Sequence, residues 1–396
     1  MIIAILATLQ LGFAALLLVL SIWLSAEVLA SFGLKPHESQ NPEPGPIAVV
    51  IPAHNEGNGL IPTIKDVQAQ LRPQDRLIIV ADNCEDDTAD VARAEGAEVL
   101  VRQDPARRGK GYALQFGLDH LRENPPAVVL FTDADCLHSD GLVQHVCAQA
   151  AALGDPAQAL YMMHAEENAP PSRSVASFAW LLINDVRMRG LARLAGATRL
   201  VGAGAAFPWA VAENLALGSG EIVEDLALTI TLAAEGQRVR FAPEYVVSST
   251  FPESEDAARV QRARWEHGSV GIIRQRIGRL IRGSLVPPQF WRLALALNVL
   301  VPPLSLFAVL LFAGVVSGTL LAVLGAWTGL LIAALAAALF TLAIGVAWLG
   351  RGRGVLPVSE LSALVSFLAF KIGVYGKSAR ESSRQWTRTP RDGEQS

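Results

Sequence analysis

The composition of this 396-residue chain indicates a membrane protein with a soluble part. Hydrophobic residues make up 51% of the chain and charged residues only 18%, and the charges avoid residues 1–26 and 293–350 almost entirely. This segregation excludes disordered, collagen-like and coiled-coil chains. A formal net charge of −4 gives no global basic field for nucleic acid, so no nucleic-acid partner is expected. Three cysteines without C-x-x-C spacing argue against a disulfide framework or a structural zinc site.

Residues 1–32 are predicted to form an amino-terminal transmembrane anchor. Residues 2–26 carry no charge, and a helix of that length covers the ~30 Å hydrocarbon thickness of a bilayer. The alternative is a cleaved signal peptide, which would need a basic amino-terminal region and a shorter apolar core. No Lys or Arg precedes Lys35, so an uncleaved anchor is favoured.

Residues 293–350 are predicted to form two further transmembrane helices, because they carry no formal charge. Their turn is expected near residues 316–319 or 325–329, and Pro302 and Pro303 lie either inside the first helix or at its start. Residues 351–396 combine an apolar stretch, 356–374, with a basic cytoplasmic tail. Basic flanks on both sides favour an interfacial helix for this stretch, and a third crossing is the alternative.

Residues 46–258 are predicted to form a cytoplasmic α/β domain. Apolar runs at residues 47–51, 77–81 and 128–131 are typical of buried parallel strands. Helical stretches lie between them, at residues 61–70, 88–95 and 112–121. Alternating βαβ units imply a doubly wound sheet that binds ligands at the carboxyl ends of its strands.

Polar and acidic residues follow each of the three predicted strands. The first strand is followed by Pro52, His54, Asn55 and Glu56, the second by Asp82 and an acidic run to Thr88, and the third by Asp133 and Asp135. In the second cluster, Asp87 or Thr88 could instead cap the next helix. Paired carboxylates in a D-x-D suit Mg²⁺ or Mn²⁺ bound with substrate phosphates. Such an ion would offset the charge of a diphosphate leaving group.

Three later elements could complete a site for group transfer. Lys110, between two glycines, could approach a phosphate, although the same stretch could be a solvated turn, and no Walker motif is present. Glu224 and Asp225 precede a helical stretch, where an acid is either a cap or a general base. In the third element, Q-x-x-R-W, the side chains of Gln261, Arg264 and Trp265 can face one side of a helix.

In order and spacing, these elements resemble the membrane-bound family 2 glycosyltransferases with a GT-A (Rossmann-like) fold. That family includes the cellulose, hyaluronan and poly-N-acetylglucosamine synthases and the ceramide glucosyltransferases. The likeness runs from Ile47 to Trp265 and is closest to bacterial exopolysaccharide-assembly members, through residues 80–92, 107–114 and 386–391. It implies a multi-pass enzyme of the bacterial inner membrane with a cytoplasmic catalytic domain, and polysaccharide-assembly proteins as partners.

The resemblance also implies a role for each matching residue. The nucleotide sugar would be bound by Pro52, His54, Asn55, Glu56, Asp82, Lys110 and Asp133. Asp135, together with Asp133, would hold Mg²⁺ or Mn²⁺. Asp225 would deprotonate the acceptor hydroxyl, and Glu224 would orient it. The diphosphate and the acceptor would be bound by Gln261, Arg264, Trp265, Gly202, Gly204 and Trp209, although the glycine-rich stretch can also be a structural turn.

Residues 259–292 join the Q-x-x-R-W motif to predicted amphipathic interfacial helices. The segment holds eight arginines and one acid, Glu266, with apolar residues at helical spacing. This pattern is typical of a helix on anionic lipid. Nucleic-acid binding is the alternative, but a transmembrane span follows directly, so membrane lipids are the expected partner.

The activity implied by the resemblance is inverting transfer of a sugar, from a UDP-linked donor, to a lipid-linked or membrane-associated glycan. A processive synthase is the nearest alternative, although the predicted helices are few for an export channel. A non-catalytic nucleotide-binding scaffold is a second alternative. A sugar nucleotidyltransferase is a third, but it would carry a glycine-rich loop where this chain has Pro52–Glu56.

Overall fold

The computed structural model describes residues 1–33, 43–165, 170–218, 223–251, 255–285 and 288–364, without the side chains of residues 171 and 255–267. The described residues divide into two compact units. Unit 1 comprises residues 1–33, 170–195 and 284–364, and unit 2 comprises residues 43–165 and 196–283. The segment 170–195, which the sequence analysis includes in the α/β domain, therefore groups with the apolar helices.

Unit 2 is built on a mixed sheet of eight strands in the described part of the chain. The strands are β1 Ile47–Ala53, β2 Arg76–Asp82, β3 Glu98–Arg102, β4 Val128–Phe131, β5 Leu137–His138, β6 Ala157–His164, β7 Ala205–Pro208 and β8 Arg240–Thr250. Their order across the sheet is β3-β2-β1-β4-β7-β6-β8-β5. The first four strands in this order are parallel, and β7 runs antiparallel to both of its neighbours.

Helices cover the strands of unit 2 and bury their apolar side chains. They are α2 Ile61–Gln68, α3 Thr88–Ala94, α4 Lys110–Leu121, α5 Leu142–Leu153, α8 Trp209–Ala212, α9 Glu224–Glu235 and α10 Glu255–Leu285. Leu118 of α4 is fully buried in one cluster with Val50 of β1 and Ile78 of β2. Burial of a strand on both faces explains why the sequence of β1 is a continuous apolar run rather than an alternating one.

The α/β prediction and the three predicted strands are confirmed. The apolar pattern of the sequence does not predict β3, because charged residues at both ends, Glu98 and Arg102, leave an apolar run of only three residues. It also does not predict β5 to β8. The doubly wound sheet is therefore mixed, and the parallel part that carries the polar clusters is β3-β2-β1-β4.

Unit 1 consists of helices, most of them apolar. They are α1 Ile2–Ser31, α6 Pro171–Leu181, α7 Arg187–Ala195, α11 Phe290–Leu300, α12 Leu304–Val323 and α13 Thr328–Ala347. Among the described residues, three helical segments are long and apolar enough to cross a membrane: Ile2–Ser31, Leu304–Val323 and Thr328–Gly352. The turn between α12 and α13 lies at residues 324–327, close to the second expected position. Pro302 and Pro303 lie between α11 and α12, so they separate two helices.

Two wide, π-type helical turns occur in unit 1. One, Leu182–Val186, joins α6 to α7, and the other, Trp348–Gly352, follows α13. Arg351 of the second turn forms an ion pair of 3.4 Å with Asp185 of the first. After them the chain forms a short 3₁₀ turn at Val358–Glu360. From residue 365 onwards, the stretch 356–374 lies outside the described residues, and so does the basic tail.

Candidate active site

The loops after β1 and β2 are hydrogen-bonded to each other at the carboxyl edge of the parallel strands. His54 Nδ1 lies 2.7 Å from the Asp82 carbonyl oxygen, and the Glu85 amide donates to Asn55 Oδ1 at 2.8 Å. The Glu56 amide donates to Thr88 Oγ1 at 2.8 Å. These contacts hold the predicted nucleotide-binding residues of both loops at one edge of the sheet.

The acidic run after β2 caps the next helix, but through a different residue from those expected. The Asp86 carboxylate accepts a hydrogen bond from the Thr88 amide at 3.1 Å and another from the Thr88 hydroxyl at 2.6 Å. Asp87, at the N-cap position of α3, makes no side-chain capping bond. Asp86 therefore satisfies an amide at the start of α3.

Asp82, at the end of β2, is held by an arginine that the sequence analysis did not single out. Arg102 Nη1 donates to Asp82 Oδ1 at 2.6 Å, and Asn83 Nδ2 donates to the same oxygen at 2.9 Å. Asp82 and Arg102 are both buried. Arg102 ends β3, which pairs in parallel with β2 and places Arg102 opposite Asp82. An unpredicted strand thus supplies the partner of a predicted site residue.

The D-x-D turn follows β4 and presents two carboxylates close together. Ligand atoms of Asp133, Asp135 and Cys136 lie within 4.8 Å of one another. Burial and the neighbouring aspartates raise the pKa of the Cys136 thiol well above its ordinary value, so the thiol stays protonated. The remaining donors are carboxylate oxygens, which fit a hard cation such as Mg²⁺ or Mn²⁺.

Lys110, at the start of α4, connects the D-x-D turn to the acidic pair at the start of α9. Its ammonium forms an ion pair with Asp133, donates to the Gly202 carbonyl at 2.8 Å and lies 3.8 Å from Glu224 Oε1. Burial lowers the pKa of Lys110, but Asp133 and Glu224 outweigh burial and raise it overall. Lys110 is therefore a fixed cation between two carboxylates.

The acidic pair occupies the first turn of α9, where both carboxyl groups have raised pKa values. Burial, with a smaller contribution from Asp225, raises the pKa of Glu224 to about 7, although Lys110 opposes the shift. Burial also raises the pKa of Asp225, although the Leu226 amide, which donates to Asp225 Oδ1 at 2.7 Å, opposes the shift. A carboxylate with a pKa closer to neutrality is a better general base than one in water.

The glycine-rich segment, residues 202–209, lies only partly at this site. Gly202 and Gly204 both have positive φ angles, 83° and 73°. A Cβ on Gly204 would lie 2.5 Å from Val247 Cγ2, which explains the need for glycine there. Gly202 contacts Lys110 through its carbonyl oxygen, so this part of the segment adjoins the carboxylates.

Trp209, by contrast, does not join the cluster. Its amide donates to the Ala127 carbonyl at 2.9 Å, and Pro208 pairs with Val128 at the first residue of β4. Asp133 follows the other end of β4. The Trp209 side chain packs against the core of unit 2, so the structure does not bring it to the carboxylates, and its predicted contact with the acceptor stays a prediction.

Gln261, Arg264 and Trp265 lie within helix α10, but their side chains fall outside the described residues. Their predicted contacts with diphosphate and acceptor remain predictions.

A second cation that the sequence analysis missed is Arg199, whose charge lowers the pKa of Asp225. Arg199 belongs to no motif in the sequence, and only its position near the start of α9 identifies it.

Solved structures of glycosyltransferases are similar to this chain. Mannosyltransferase PcManGT from Pyrobaculum calidifontis, solved in complex with GDP-Man and Mn²⁺, is 17% identical; the match covers 96% of this chain and 94% of that protein with a TM-score of 0.54. Mannosyl-3-phosphoglycerate synthase from Rubrobacter xylanophilus is 18% identical over 58% of this chain and 74% of its own, with a TM-score of 0.39. No curated protein sequence matches the chain.

A family model described as glycosyltransferase like family 2 matches residues 44–268. That range contains the sheet, the D-x-D turn, the Glu224–Asp225 pair and the Q-x-x-R-W motif. More than half of the chain is covered, and the α/β fold is that of the GT-A enzymes. The chain therefore belongs to the family 2 glycosyltransferases.

Proposed function

We propose that the protein transfers a sugar, with inversion, from a nucleotide sugar to a lipid-linked or membrane-associated glycan. We expect a UDP-linked donor, because the motifs resemble those of family members that use such donors. The similar Pyrobaculum mannosyltransferase was solved with GDP-Man, so GDP-linked donors belong in any test. The observation that carries the proposal is Lys110, which pairs with Asp133 of the D-x-D turn and lies beside Glu224 of the acidic pair.

This contact supports the proposal because it brings a donor-side group and an acceptor-side group into one site. Asp133 and Asp135 would hold a divalent cation, Mg²⁺ or Mn²⁺, and that ion would offset the charge of the diphosphate. Lys110 adds a fixed positive charge beside the same position. Preorganised charge of this kind stabilises a leaving group without reorganisation during the reaction.

The proton acceptor in this mechanism is Asp225. It would take the proton of the acceptor hydroxyl while the sugar moves in a single displacement, and Glu224 would orient the hydroxyl. The raised pKa values of both carboxyls support the assignment, since a general base works best with a pKa near the working pH. Pro52, His54, Asn55, Glu56 and Asp82 would bind the nucleotide.

The membrane context supports a lipid-linked acceptor. Unit 1 offers three helical segments of sufficient length and apolarity to span a bilayer. On α10, the exposed side chains include Arg274, Arg279 and Arg282 together with Val270 and Leu285. Basic and apolar residues on one helix suit an anionic membrane surface. We place the enzyme in the bacterial inner membrane, with unit 2 in the cytoplasm and exopolysaccharide assembly as its setting.

The experiment that tests the proposal uses the purified full-length chain with a panel of UDP- and GDP-sugars, Mn²⁺ and a membrane lipid extract, with products analysed by mass spectrometry. Asp225→Asn is expected to keep donor binding but to lose transfer by about 10²–10⁴-fold. Asp135→Ala is expected to weaken metal-dependent donor binding. Glu235→Gln, at the exposed far end of the same helix α9, is the matched control and should behave as wild type.

The products separate the alternatives. A single sugar on a lipid supports the proposal, a long polymer identifies a processive synthase, and a sugar nucleotide identifies a nucleotidyltransferase. Donor binding without any product would identify a scaffold. Wild-type turnover in Asp225→Asn would overturn the assignment of the base.

A further inference from the structure

Two side chains of helix α2 form hydrogen bonds to the D-x-D turn and to the residues directly after it. The Thr63 hydroxyl donates to the carbonyl oxygen of Ala134, the central residue of the D-x-D, at 2.8 Å. Asp66, three residues further along the helix, accepts from the His138 amide at 2.9 Å. Residues three apart share one face of a helix, so one face of α2 contacts the turn in its middle and just after it.

His138 extends this contact to the residue that precedes the D-x-D. Its Nδ1 lies 2.6 Å from Asp66 Oδ2, and its Nε2 lies 2.8 Å from Thr132 Oγ1. A carboxylate only accepts hydrogen bonds, so in a neutral imidazole Nδ1 donates to Asp66 and Nε2 accepts from the Thr132 hydroxyl. Three side chains thus form a continuous chain of hydrogen bonds from α2 to the end of β4.

Two of these three side chains, Thr132 and His138, are shielded from solvent, Asp66 is partly exposed, and the chain of hydrogen bonds is also anchored to the sheet. Thr132 is fully buried, and His138 is 6% exposed. His138 belongs to β5 and pairs with Val247 of β8. The turn that carries Asp133 and Asp135 is therefore bonded to neighbouring elements on both sides, through Thr132 before it and His138 after it.

We propose that Asp66, His138 and Thr132 form a positioning relay that fixes the D-x-D turn in the geometry needed for divalent-cation binding, with Thr63 as a second support. The inference rests on the proposed metal role of Asp133 and Asp135. None of the four side chains touches substrate in this scheme, so they are positioning residues. Mg²⁺ and Mn²⁺ sites depend on ligand geometry, and groups behind the ligands are known to set metal affinity.

The same unit contains a second histidine–carboxylate pair that serves as a matched control. His120 Nε2 lies 2.6 Å from Glu98 Oε1, between helix α4 and strand β3. Neither residue contacts the D-x-D turn in the described structure. If histidine–carboxylate pairs in unit 2 only stabilise the fold, loss of either pair should have the same effect on cation binding.

The test measures Mn²⁺ binding to the purified full-length chain by electron paramagnetic resonance, in the presence of UDP and, in parallel, GDP. Thr132→Val and Asp66→Asn are expected to raise the apparent Kd for Mn²⁺ about tenfold. Thr132→Ser keeps the hydroxyl and should retain wild-type affinity. His120→Gln should leave the Mn²⁺ Kd unchanged, whatever it does to the melting temperature.

The outcomes separate the relay from the metal site itself. If Asp135→Ala loses Mn²⁺ while folded Thr132→Val and Asp66→Asn bind it as wild type does, the relay is overturned and the metal site stands. If Asp135→Ala binds Mn²⁺ normally, the proposed metal site fails, and the relay fails with it. Equal weakening by His120→Gln would also overturn the relay. Should Asp66→Asn fail to fold, the comparison of Thr132→Val with Thr132→Ser decides.

Discussion

Arg187 Nε donates to Glu27 Oε2 at 2.7 Å inside unit 1, and both side chains are almost fully buried. Trp23 Nε1 and Asn298 Nδ2 donate to the other carboxylate oxygen of Glu27, each at 2.7 Å. Glu27 belongs to a helix long and apolar enough to span a membrane. A charge in such a helix is costly unless it is paired and hydrogen-bonded, and the Glu27 carboxylate meets both conditions.

The first prediction concerns this ion pair. Arg187→Ala should lower the free energy of unfolding by about 3–5 kcal/mol, because it leaves a buried carboxylate without its counter-charge. Denaturant unfolding in detergent measures the effect. Arg193→Ala is the control: this exposed arginine of the same helix donates to the Ala30 carbonyl at 3.4 Å, and its loss should cost about 0.5 kcal/mol or less. Equal losses in both variants would contradict the prediction.

The second prediction concerns the close approach of helices α1 and α7. A Cβ on Gly190 would lie 2.0 Å from the Glu27 carbonyl oxygen and 2.7 Å from its Cα. Both atoms belong to backbone, so no side chain can move aside. Gly190→Ala should therefore destabilise unit 1 by about 1–3 kcal/mol or more through overpacking.

Gly345→Ala is the matched control for Gly190→Ala. Gly345 lies inside helix α13, and nothing lies within 4 Å of the Cβ that alanine would add. Alanine in that open position should stabilise the helix by roughly 0.5–1 kcal/mol. The two glycine variants should thus shift the melting temperature in opposite directions, and a fall of equal size in both would refute the packing argument.

Strands β1, β2 and β4 could be predicted from sequence because burial on both faces leaves a continuous apolar run. Their carboxyl ends meet at one edge, so the meeting of the polar clusters was predictable too. The partner of Asp82 was not, since Arg102 becomes its neighbour only through the pairing of β2 with β3. Trp209 lies away from the carboxylates for a related reason: the antiparallel β7 carries it to the far end of β4 from Asp133.

The third prediction is a pH dependence of stability caused by Glu224. Its ordinary pKa of 4.5 is raised to about 7, mainly by burial. As pH rises from 4.5 to 7, the unfolded chain releases this proton first, so the folded state binds more protons and loses stability. Glu224→Gln removes this penalty. Relative to wild type, it should gain roughly 1–3 kcal/mol between pH 5 and pH 8 in urea unfolding.

Glu235→Gln provides the control for that measurement. Glu235 ends the same helix and is exposed, so its replacement changes the net charge equally without removing the partly buried Glu224 carboxyl. The difference in unfolding free energy between Glu235→Gln and wild type should stay nearly constant with pH. A constant difference for Glu224→Gln as well would show that folding does not raise the pKa of Glu224.

The fourth prediction concerns Lys110 and the pH dependence of transfer. The Lys110 ammonium lowers the pKa of both Glu224 and Asp225, so Lys110→Met should raise both. Because the base must be ionised, the rising limb of the rate profile should move to higher pH and the rate at pH 7 should fall. Lys65→Met, which removes a lysine that is 64% exposed and paired with Glu95, should leave the limb in place. If the rising limb of the rate profile stayed at the same pH in Lys110→Met, the Lys110 charge would not influence the pKa values of the acidic pair.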